Sequence, residues 1–319
     1  MRVRHSVQPL PGTNFIDPKT LARIDNLELL ARTVVDGFIN GLHRAPYLGL
    51  SLDFAEHRAY YPGDDIRRID WRVFARTDRF YVKEFEADTN SNFTVVLDVS
   101  RSMSYRGVGI PKLDYARFLA ASLSYFSREQ RDRVGMLTFD SDIVDYVPCS
   151  AKHLDVVLHT IDRLQPRETG NLDAAMRKAA ELLRRRGLVI VISDLYEEPA
   201  RVQAALGMLK HRGHDVIVFH VLDRSELELA GTVGGIALEE ATSFEDLETR
   251  QRIPVITPEV RERYRALIQE HIVALKKKLS EVRIDYAMFD TSVPLDHALF
   301  RYLSAREHMT RGPARAGAH

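Results

Sequence analysis

FTVVLDVSRSM, residues Phe93 to Met103, is the stretch that decides the fold of this 319-residue chain. Its first five residues, Phe93 to Leu97, are apolar or β-branched, which is typical of a strand buried on both faces of a sheet. Asp98 follows at once, and Ser100 and Ser102 come at alternate positions. Because open α/β folds place their sites at the carboxyl edge of the sheet, these three oxygen-bearing side chains predict a site there.

Two further segments supply oxygen-bearing side chains that can reach the same edge. Asp194 follows a second apolar strand, Leu188 to Ile192, and Thr169 and Asn171 lie in the loop before a helix that begins at Leu172. Two carboxylates together with neutral hydroxyls form an all-oxygen ligand set, which suits Mg²⁺ or Mn²⁺ better than zinc. We therefore expect a divalent-cation site with these ligands: Asp98, Ser100, Ser102, Thr169 and Asp194.

The chain from residue 91 onward alternates strand and helix patterns. This alternation predicts an α/β fold over 91–305, with a doubly wound, mostly parallel sheet and flanking helices. An insertion at about 223–258 breaks the rhythm. Residues 1–90 lack the alternation and predict a smaller mixed region that contains a helix and strands. The basic, Gly- and Ala-rich tail, 306–319, is expected to be disordered.

The composition is that of an ordinary globular protein. Lys and Arg together number 45, as do Asp and Glu, so nothing in the overall charge favours nucleic acid or an anionic membrane. The single cysteine, Cys149, excludes an internal disulfide framework and fits a reducing compartment. The longest apolar runs are strand-sized, and the first residues lack the apolar core of a signal peptide. These features predict a cytoplasmic protein without membrane insertion.

The segment from His57 to Lys83 is dense in arginine and aspartate. Trp71, Phe74 and Tyr81 lie among the arginines, a mixture that nucleic-acid-binding surfaces also use. The interleaved aspartates cancel the positive field that phosphate binding needs, so arginine–carboxylate pairs within the fold or across an interface explain the pattern better. We expect no nucleic-acid binding, and a partner-binding surface that includes five arginines: Arg58, Arg67, Arg68, Arg72 and Arg76.

The residues at the predicted edge resemble the von Willebrand factor A domain and its metal-ion-dependent adhesion site. In that site a D-x-S-x-S loop, a Thr from a second loop and an Asp from a third hold a divalent cation. An open coordination position accepts a carboxylate from a partner protein. Asp98 in the first loop and Asp194 in VIVISDL match this pattern, whereas Gly170 stands at the usual Thr position. Thr169 lies one residue earlier, so it either reaches the ion or caps the following helix.

A second resemblance covers nearly the whole chain. The pattern R-x-Y-x-P-G-D-D-x-R-x-I-D-W, from Arg58 to Trp71, is similar to the bacterial domain of unknown function 58 family. So are the phrases LDVSRSM, KLDYARFLAASLSYF, RRRGLVIVISDL and RGHDVIVFHVLD. The resemblance implies a von Willebrand A-like domain paired with a family-specific N-terminal region. It also implies an adaptor or chaperone-like role beside a MoxR-type AAA+ ATPase.

The sequence supports three functional hypotheses. The first is a non-enzymatic protein-interaction module whose Mg²⁺ or Mn²⁺ binds an acidic residue of a partner. The second is a Mg²⁺-dependent hydrolase or phosphotransferase with Asp98 as nucleophile. Against it, Ser100 stands where such phosphatases have a second Asp, and no G-x-x-x-x-G-K loop occurs. The third is a metal-free structural scaffold.

Under the first hypothesis, the carboxylate that reaches the ion comes either from the partner or from the chain itself. The insertion at about 223–258 would supply it in the second case. Its candidate carboxylates are Glu239, Glu240 and Glu245.

Overall fold

The computed structural model describes residues 18–21, 26–44, 56–59, 81–84, 91–107, 109–229, 232–233, 236–237, 241–247 and 252–295. The strands of these residues are β1 (Glu56–Ala59), β2 (Tyr81–Glu84), β3 (Asn92–Asp98), β4 (Arg133–Phe139), β5 (Ile143–Ser150), β6 (Gly187–Ser193), β7 (Asp215–Leu222), β8 (Thr232–Val233), β9 (Ile236–Ala237), β10 (Ala241–Glu245), β11 (Arg252–Ile256) and β12 (Asp285–Asp290). The α-helices are α1 (Pro18–Leu21), α2 (Leu27–Arg44), α3 (Lys112–Glu129), α4 (Leu154–Asp162), α5 (Leu172–Leu182), α6 (Pro199–His211), α7 (Arg224–Glu228) and α8 (Thr257–Glu281). A 3-10 turn spans Arg101–Ser104.

A six-stranded sheet forms the centre of the described chain, with its strands in the spatial order β12-β7-β6-β3-β4-β5. The first five of these strands run parallel, and β5 pairs antiparallel with β4 at one edge. In the middle of the sheet, Val95 of β3 lies opposite Met136 on one side and Ile190 on the other. This arrangement confirms the predicted α/β class with a mostly parallel sheet.

Helices cover both faces of the sheet because β3 is apolar on both of its sides. Val95 and Leu97 belong to a core shared with α3 and α4, whereas Val96 belongs to a second core shared with α5, α6 and α8. All three side chains are fully buried. A strand in a sheet with one solvent-exposed face would instead show apolar and polar residues in alternation. The continuous apolar run is therefore typical of a strand at the centre of the sheet, as β3 is.

Helix α2 of the N-terminal region packs against α3 and extends the first core. Leu30, Ala31 and Val35 are fully buried there. Asn26 caps the helix, since its side-chain Oδ1 accepts a hydrogen bond from the Leu29 amide at 2.9 Å. The predicted division of the chain at about residue 90 stays a prediction.

Three antiparallel pairs of short strands accompany the main sheet, namely β1 with β2, β8 with β9, and β10 with β11. The second and third pairs, together with helix α7, lie within the insertion at about 223–258. Across the part of the chain that the structure describes, no helix combines the length and the apolar character needed to cross a membrane.

The five parallel strands end in the same way. At or directly after the last strand residue, a side-chain oxygen accepts a hydrogen bond from the backbone N–H two residues further on, which turns the chain over the edge of the sheet. The five pairs are Asp98 with Ser100 (2.8 Å), Asp140 with Asp142 (3.0 Å), Ser193 with Leu195 (3.1 Å), Asp223 with Ser225 (2.8 Å) and Asp290 with Ser292 (2.9 Å). Because four of these acceptors are carboxylates, negative charge collects along the carboxyl edge.

Candidate functional site

The residues predicted to hold a cation all line one cavity at the carboxyl edge of the sheet. The cavity has a volume of about 550 Å³. Strand β3 delivers the first loop, β6 delivers Asp194, and the loop between α4 and α5 delivers Thr169. The predicted residues that line it are Asp98, Ser100, Ser102, Thr169 and Asp194. The structure thus brings these side chains together, and their role as metal ligands stays a prediction.

Asp98 is held rigidly at the floor of the site. Its Oδ1 accepts the Ser100 amide at 2.8 Å, and its Oδ2 accepts the Ser193 hydroxyl at 2.6 Å. The hydroxyls of Ser100 and Ser102 lie 3.1 Å apart, as the alternate spacing in the sequence predicts for side chains on one side of the loop. This loop therefore presents one carboxylate and two hydroxyls to the same point.

The charge on Asp98 is opposed by its surroundings. Burial, and then the neighbouring charge of Asp194, raise the pKa of Asp98 from 3.8 to about 7. The groups that donate hydrogen bonds to this carboxylate, namely the amide and hydroxyl of Ser100 and the hydroxyl of Ser193, are neutral. A positive charge placed next to Asp98 would lower that pKa again, which is how a cation-binding carboxylate behaves.

Backbone hydrogen bonds join the second loop, between α4 and α5, to the first loop, which follows β3. The Arg101 amide donates to the Glu168 carbonyl at 3.1 Å, and the Arg167 amide donates to the Val99 carbonyl at 2.8 Å. A Cβ atom on Gly170 would lie 3.2 Å from the Cβ of Ser100, so this position, usually Thr, lies directly against the first loop. The Ser100 side chain therefore leaves little room for a larger residue at position 170.

Thr169 does not cap helix α5. The N-cap residue is Asn171, whose side-chain Oδ1 accepts the Ala174 amide at 3.1 Å. Glu197 completes this helix end, since its Oε1 accepts the Leu172 amide at 2.8 Å. The capping interpretation of Thr169 is therefore wrong, and this exposed side chain lies at the rim of the cavity.

A buried lysine that is not among the predicted site residues, Lys112, lines the same cavity. Lys112 begins helix α3, and its side chain has no exposed surface. The ammonium donates to Asp194 Oδ2 at 2.8 Å and to Glu226 Oε1 at 2.7 Å. It also lies 5.6 Å from the ring centroid of Tyr105 and 5.0 Å from that of Tyr196, within the range of cation–π attraction. These two carboxylates raise the pKa of Lys112, although burial alone opposes its charge.

The backbone of the third loop is fixed by hydrogen bonds from two imidazole rings, those of His220 and His271. His220 Nε2 donates to the Asp194 carbonyl at 2.7 Å, which leaves Nδ1 to accept the Tyr286 hydroxyl at 2.7 Å. Burial lowers the pKa of His220 to about 4, so this imidazole is neutral. One residue on, Leu195 adopts a left-handed backbone with φ of 44°, and its carbonyl accepts His271 Nε2 at 3.0 Å. Hydrogen bonds from His220 and His271 therefore fix the backbone that carries the Asp194 carboxylate.

Glu226 is fixed as firmly as its lysine partner. Its other oxygen, Oε2, accepts the Asp223 amide at 2.8 Å, and together with the Asp223 side chain it closes a capping box at the start of α7. Asp223 is fully buried and also accepts the Thr291 hydroxyl at 2.9 Å. Sequence alone offers one signal for this arrangement, the D-x-x-E spacing of a capping box, and none for its contact with Lys112.

Among the described residues of the insertion, three line the cavity, namely Glu226, Asp246 and Leu247. Asp246 and Leu247, which follow β10, line its mouth. Glu245 ends β10, while Glu239 and Glu240 lie outside the described residues. The predicted arginine surface lies almost wholly outside them as well. The structure gives the backbone of Arg58 in β1, and it does not describe four of the arginines: Arg67, Arg68, Arg72 and Arg76.

Within the described residues, no three side chains of His, Cys, Asp and Glu come together as a metal cluster. An ion at the cavity would therefore depend on the serine and threonine hydroxyls in addition to two carboxylates. Such a ligand set fits a hard cation with retained water molecules.

Comparison of the sequence with known proteins gives a family match. Residues 56–274 match the family described as "Protein of unknown function DUF58". Uncharacterized proteins of Mycobacterium bovis and Mycobacterium tuberculosis are 32% identical over 232 residues, covering 71% of this chain and 72% of theirs.

Solved structures resemble this chain at lower sequence identity. A conserved hypothetical protein, BatB, from Bacteroides thetaiotaomicron is 18% identical with a TM-score of 0.48, covering 70% of this chain and all of that one. The VWA domain of SpRpn10 is 12% identical with a TM-score of 0.38, covering 66% of this chain and 93% of that one.

Proposed function

The chain belongs to the family of proteins of unknown function DUF58, with a von Willebrand A-like fold, and on that premise we propose that it is a non-enzymatic protein-interaction module that works through a divalent cation. Mg²⁺ or Mn²⁺ is held at the carboxyl edge of the sheet. The residues that hold it are Asp98, Ser100, Ser102, Thr169 and Asp194. When bound, the cation supplies positive charge and an open coordination position for a carboxylate of the partner protein.

The partner we propose is a MoxR-type AAA+ ATPase, for which this chain acts as an adaptor. The resemblance of the Arg58 to Trp71 motif to its family supports this choice. The arginines of that segment form a second contact surface, since a guanidinium recognises carboxylates in a bidentate geometry.

One observation carries the proposal of a cation, namely the unbalanced charge at Asp98. Lys112 bridges Asp194 and Glu226, while Asp98 accepts hydrogen bonds from a neutral amide and a neutral hydroxyl. Two aligned serine hydroxyls stand beside it at 3.1 Å from each other. A buried carboxylate with hard neutral oxygens next to it is the chemistry that Mg²⁺ and Mn²⁺ prefer.

The hydrolase hypothesis receives less support from the same geometry. Both oxygens of Asp98 already accept hydrogen bonds, one of them from Ser193 at 2.6 Å. These bonds orient the carboxylate, and Ser100 stands where such phosphatases have a second Asp. A phosphatase assay with a chromogenic phosphate ester separates the two hypotheses, and turnover that is lost in Asp98→Asn would contradict the proposed function.

Calorimetric titration of chelator-stripped protein with Mg²⁺ and Mn²⁺ tests the ion site. We expect saturable binding in the wild type and its loss in Asp98→Asn. Asp140→Asn is the matched control, since Asp140 terminates the neighbouring strand with the same local turn and does not line the cavity. Absence of binding in the wild type, or equal binding in Asp98→Asn, would overturn the proposal.

Capture of the ATPase tests the partner. Immobilised protein is incubated with the purified MoxR-type ATPase of the same organism, with Mg²⁺ or with a chelator. We expect retention that needs both the ion and Asp98. Retention that is unaffected by the chelator and by Asp98→Asn would show that the contact does not pass through this site.

A further inference from the structure

Lys112 is the feature of the site that the cation hypothesis leaves unexplained. A lysine without exposed surface loses its hydration, and the carboxylates of Asp194 and Glu226 offset that cost at 2.8 and 2.7 Å. The rings of Tyr105 and Tyr196 lie beside the ammonium and shield it from water. The ammonium therefore has a fixed position within the cavity that also contains Asp98 and the two serines.

The contact with Asp194 has a consequence for any ion. Asp194 Oδ2 already accepts a charged donor, so a divalent cation that uses this carboxylate must share it with the ammonium or displace the ammonium toward Glu226. Two cations that share one carboxylate repel each other strongly where water is excluded. Lys112 thus opposes the entry of a divalent cation even though the oxygen ligands favour it.

The net charge of the cluster with a bound cation depends on Lys112. With Asp98 ionised, as it would be beside a bound cation, Asp98, Asp194 and Glu226 contribute three negative charges, and Lys112 contributes one positive charge. Addition of a divalent cation brings the cluster to neutrality, whereas without the lysine the loaded cluster would remain negative. A neutral cluster accepts an additional carboxylate at lower electrostatic cost than a negative one.

We propose that Lys112 is the resident counter-ion of the site, which stabilises Asp194 while no metal is bound and makes the divalent cation bind weakly until an acidic partner contributes its own carboxylate. This inference rests on the proposed function, and it specifies how the site is loaded. The ion-free protein is then a stable, folded state, and ion and partner bind cooperatively.

Two variants test the role of Lys112 with opposite expected signs. Lys112→Met with Glu226→Gln removes one positive and one negative charge, so the net charge of the cluster is kept while Asp194 is released. We expect this double variant to bind Mn²⁺ about tenfold more tightly than the wild type, because the competing ammonium is gone. Glu226→Gln alone leaves the ammonium with Asp194 as its single carboxylate, and we expect it to bind Mn²⁺ several-fold more weakly.

Glu228→Gln is the matched control for these variants, since Glu228 lies two residues away on the same helix and is 45% exposed. Calorimetry gives the affinities, and thermal unfolding with and without a chelator gives a second readout. Mn²⁺ should raise the unfolding temperature of both proteins, and at the same Mn²⁺ concentration it should raise that of the double variant by more, because the double variant binds the ion more tightly.

The outcomes separate this inference from the proposed function. If the wild type binds Mn²⁺ through Asp98 but Glu226→Gln and the double variant bind it with unchanged affinity, the role of Lys112 is wrong and the ion site remains. If neither the wild type nor the double variant binds Mn²⁺, the ion site and the counter-ion role fail together. Glu226→Gln is nearly isosteric, so the test holds even if the double variant does not fold.

Discussion

At the residue scale, two buried groups at the site respond to pH in opposite directions. Burial and Asp194 raise the pKa of Asp98 to about 7. Between its ordinary pKa of 3.8 and that value the folded protein keeps a proton that the unfolded chain has lost, so Asp98 makes stability fall as pH rises. Burial lowers the pKa of His220 from 6.5 to about 4. In that interval the folded protein binds fewer protons than the unfolded chain, so His220 makes stability fall as pH decreases.

Replacement of Asp98 separates these two effects in the ion-free protein. In the presence of a chelator, Asp98→Asn should gain stability relative to the wild type as pH rises from about 4 to about 7, because it lacks the buried ionisable carboxyl. The gain should reach about 2–4 kcal/mol, as a pKa displaced by a few units implies. Urea unfolding followed by circular dichroism at several pH values measures the difference. A difference between the two proteins that is the same at every pH would show that Asp98 is not perturbed.

At the element scale, the loop between α4 and α5 packs against Ser100 and helps to set its position. A Cβ on Gly170 would approach the Cβ of Ser100 to 3.2 Å, which is closer than most such contacts, whereas a Cβ on Gly207 of α6 would meet nothing within 4 Å. Gly170→Ala should therefore shift Ser100 and weaken Mg²⁺ binding several-fold. Gly207→Ala should leave binding unchanged and stabilise the protein by about 0.5–1 kcal/mol, since alanine favours the helix.

Calorimetry and denaturant unfolding of these two alanine variants provide the comparison. Both variants add the same methyl group, so a difference between them in Mg²⁺ affinity or in stability arises from the surroundings of each glycine. Unchanged Mg²⁺ affinity in Gly170→Ala would mean that the second loop does not set the position of Ser100.

The elements of the sheet could be predicted from the sequence because their signals are local. β3 and β6 are continuous apolar runs that end in polar residues, and a strand buried on both faces has that pattern wherever it occurs. The contact of Lys112 with Glu226 could not be predicted, because it joins residues 114 positions apart and depends on how α3 and α7 meet. A lysine that begins an amphipathic helix is ordinarily exposed, so periodicity gives no sign of its burial.

At the scale of the whole molecule, the described N-terminal helix and the α/β sheet share one hydrophobic core. Leu30 and Val35 of α2 belong to the same cluster as Phe126 of α3 and Val95 of β3. Local sequence patterns change character near residue 90, and they cannot reveal that α2, which ends at Arg44, packs on α3, which begins at Lys112. The packing predicts that α2 unfolds together with the sheet in one cooperative transition.

Two neighbouring leucines of α2 test this cooperativity. Leu30 is fully buried in the shared core, whereas Leu29 is 55% exposed. Leu30→Ala should lower the free energy of unfolding by about 2–4 kcal/mol, since it leaves a cavity between α2 and α3. Leu29→Ala should change it by about 0.5 kcal/mol or less. Urea unfolding followed by far-ultraviolet circular dichroism should show one transition that Leu30→Ala shifts as a whole. Two transitions, of which Leu30→Ala shifts only the smaller, would mean that α2 forms a separate unit docked on the α/β domain, and the partner-binding site would then lie on a body that is stable without its N-terminal helix.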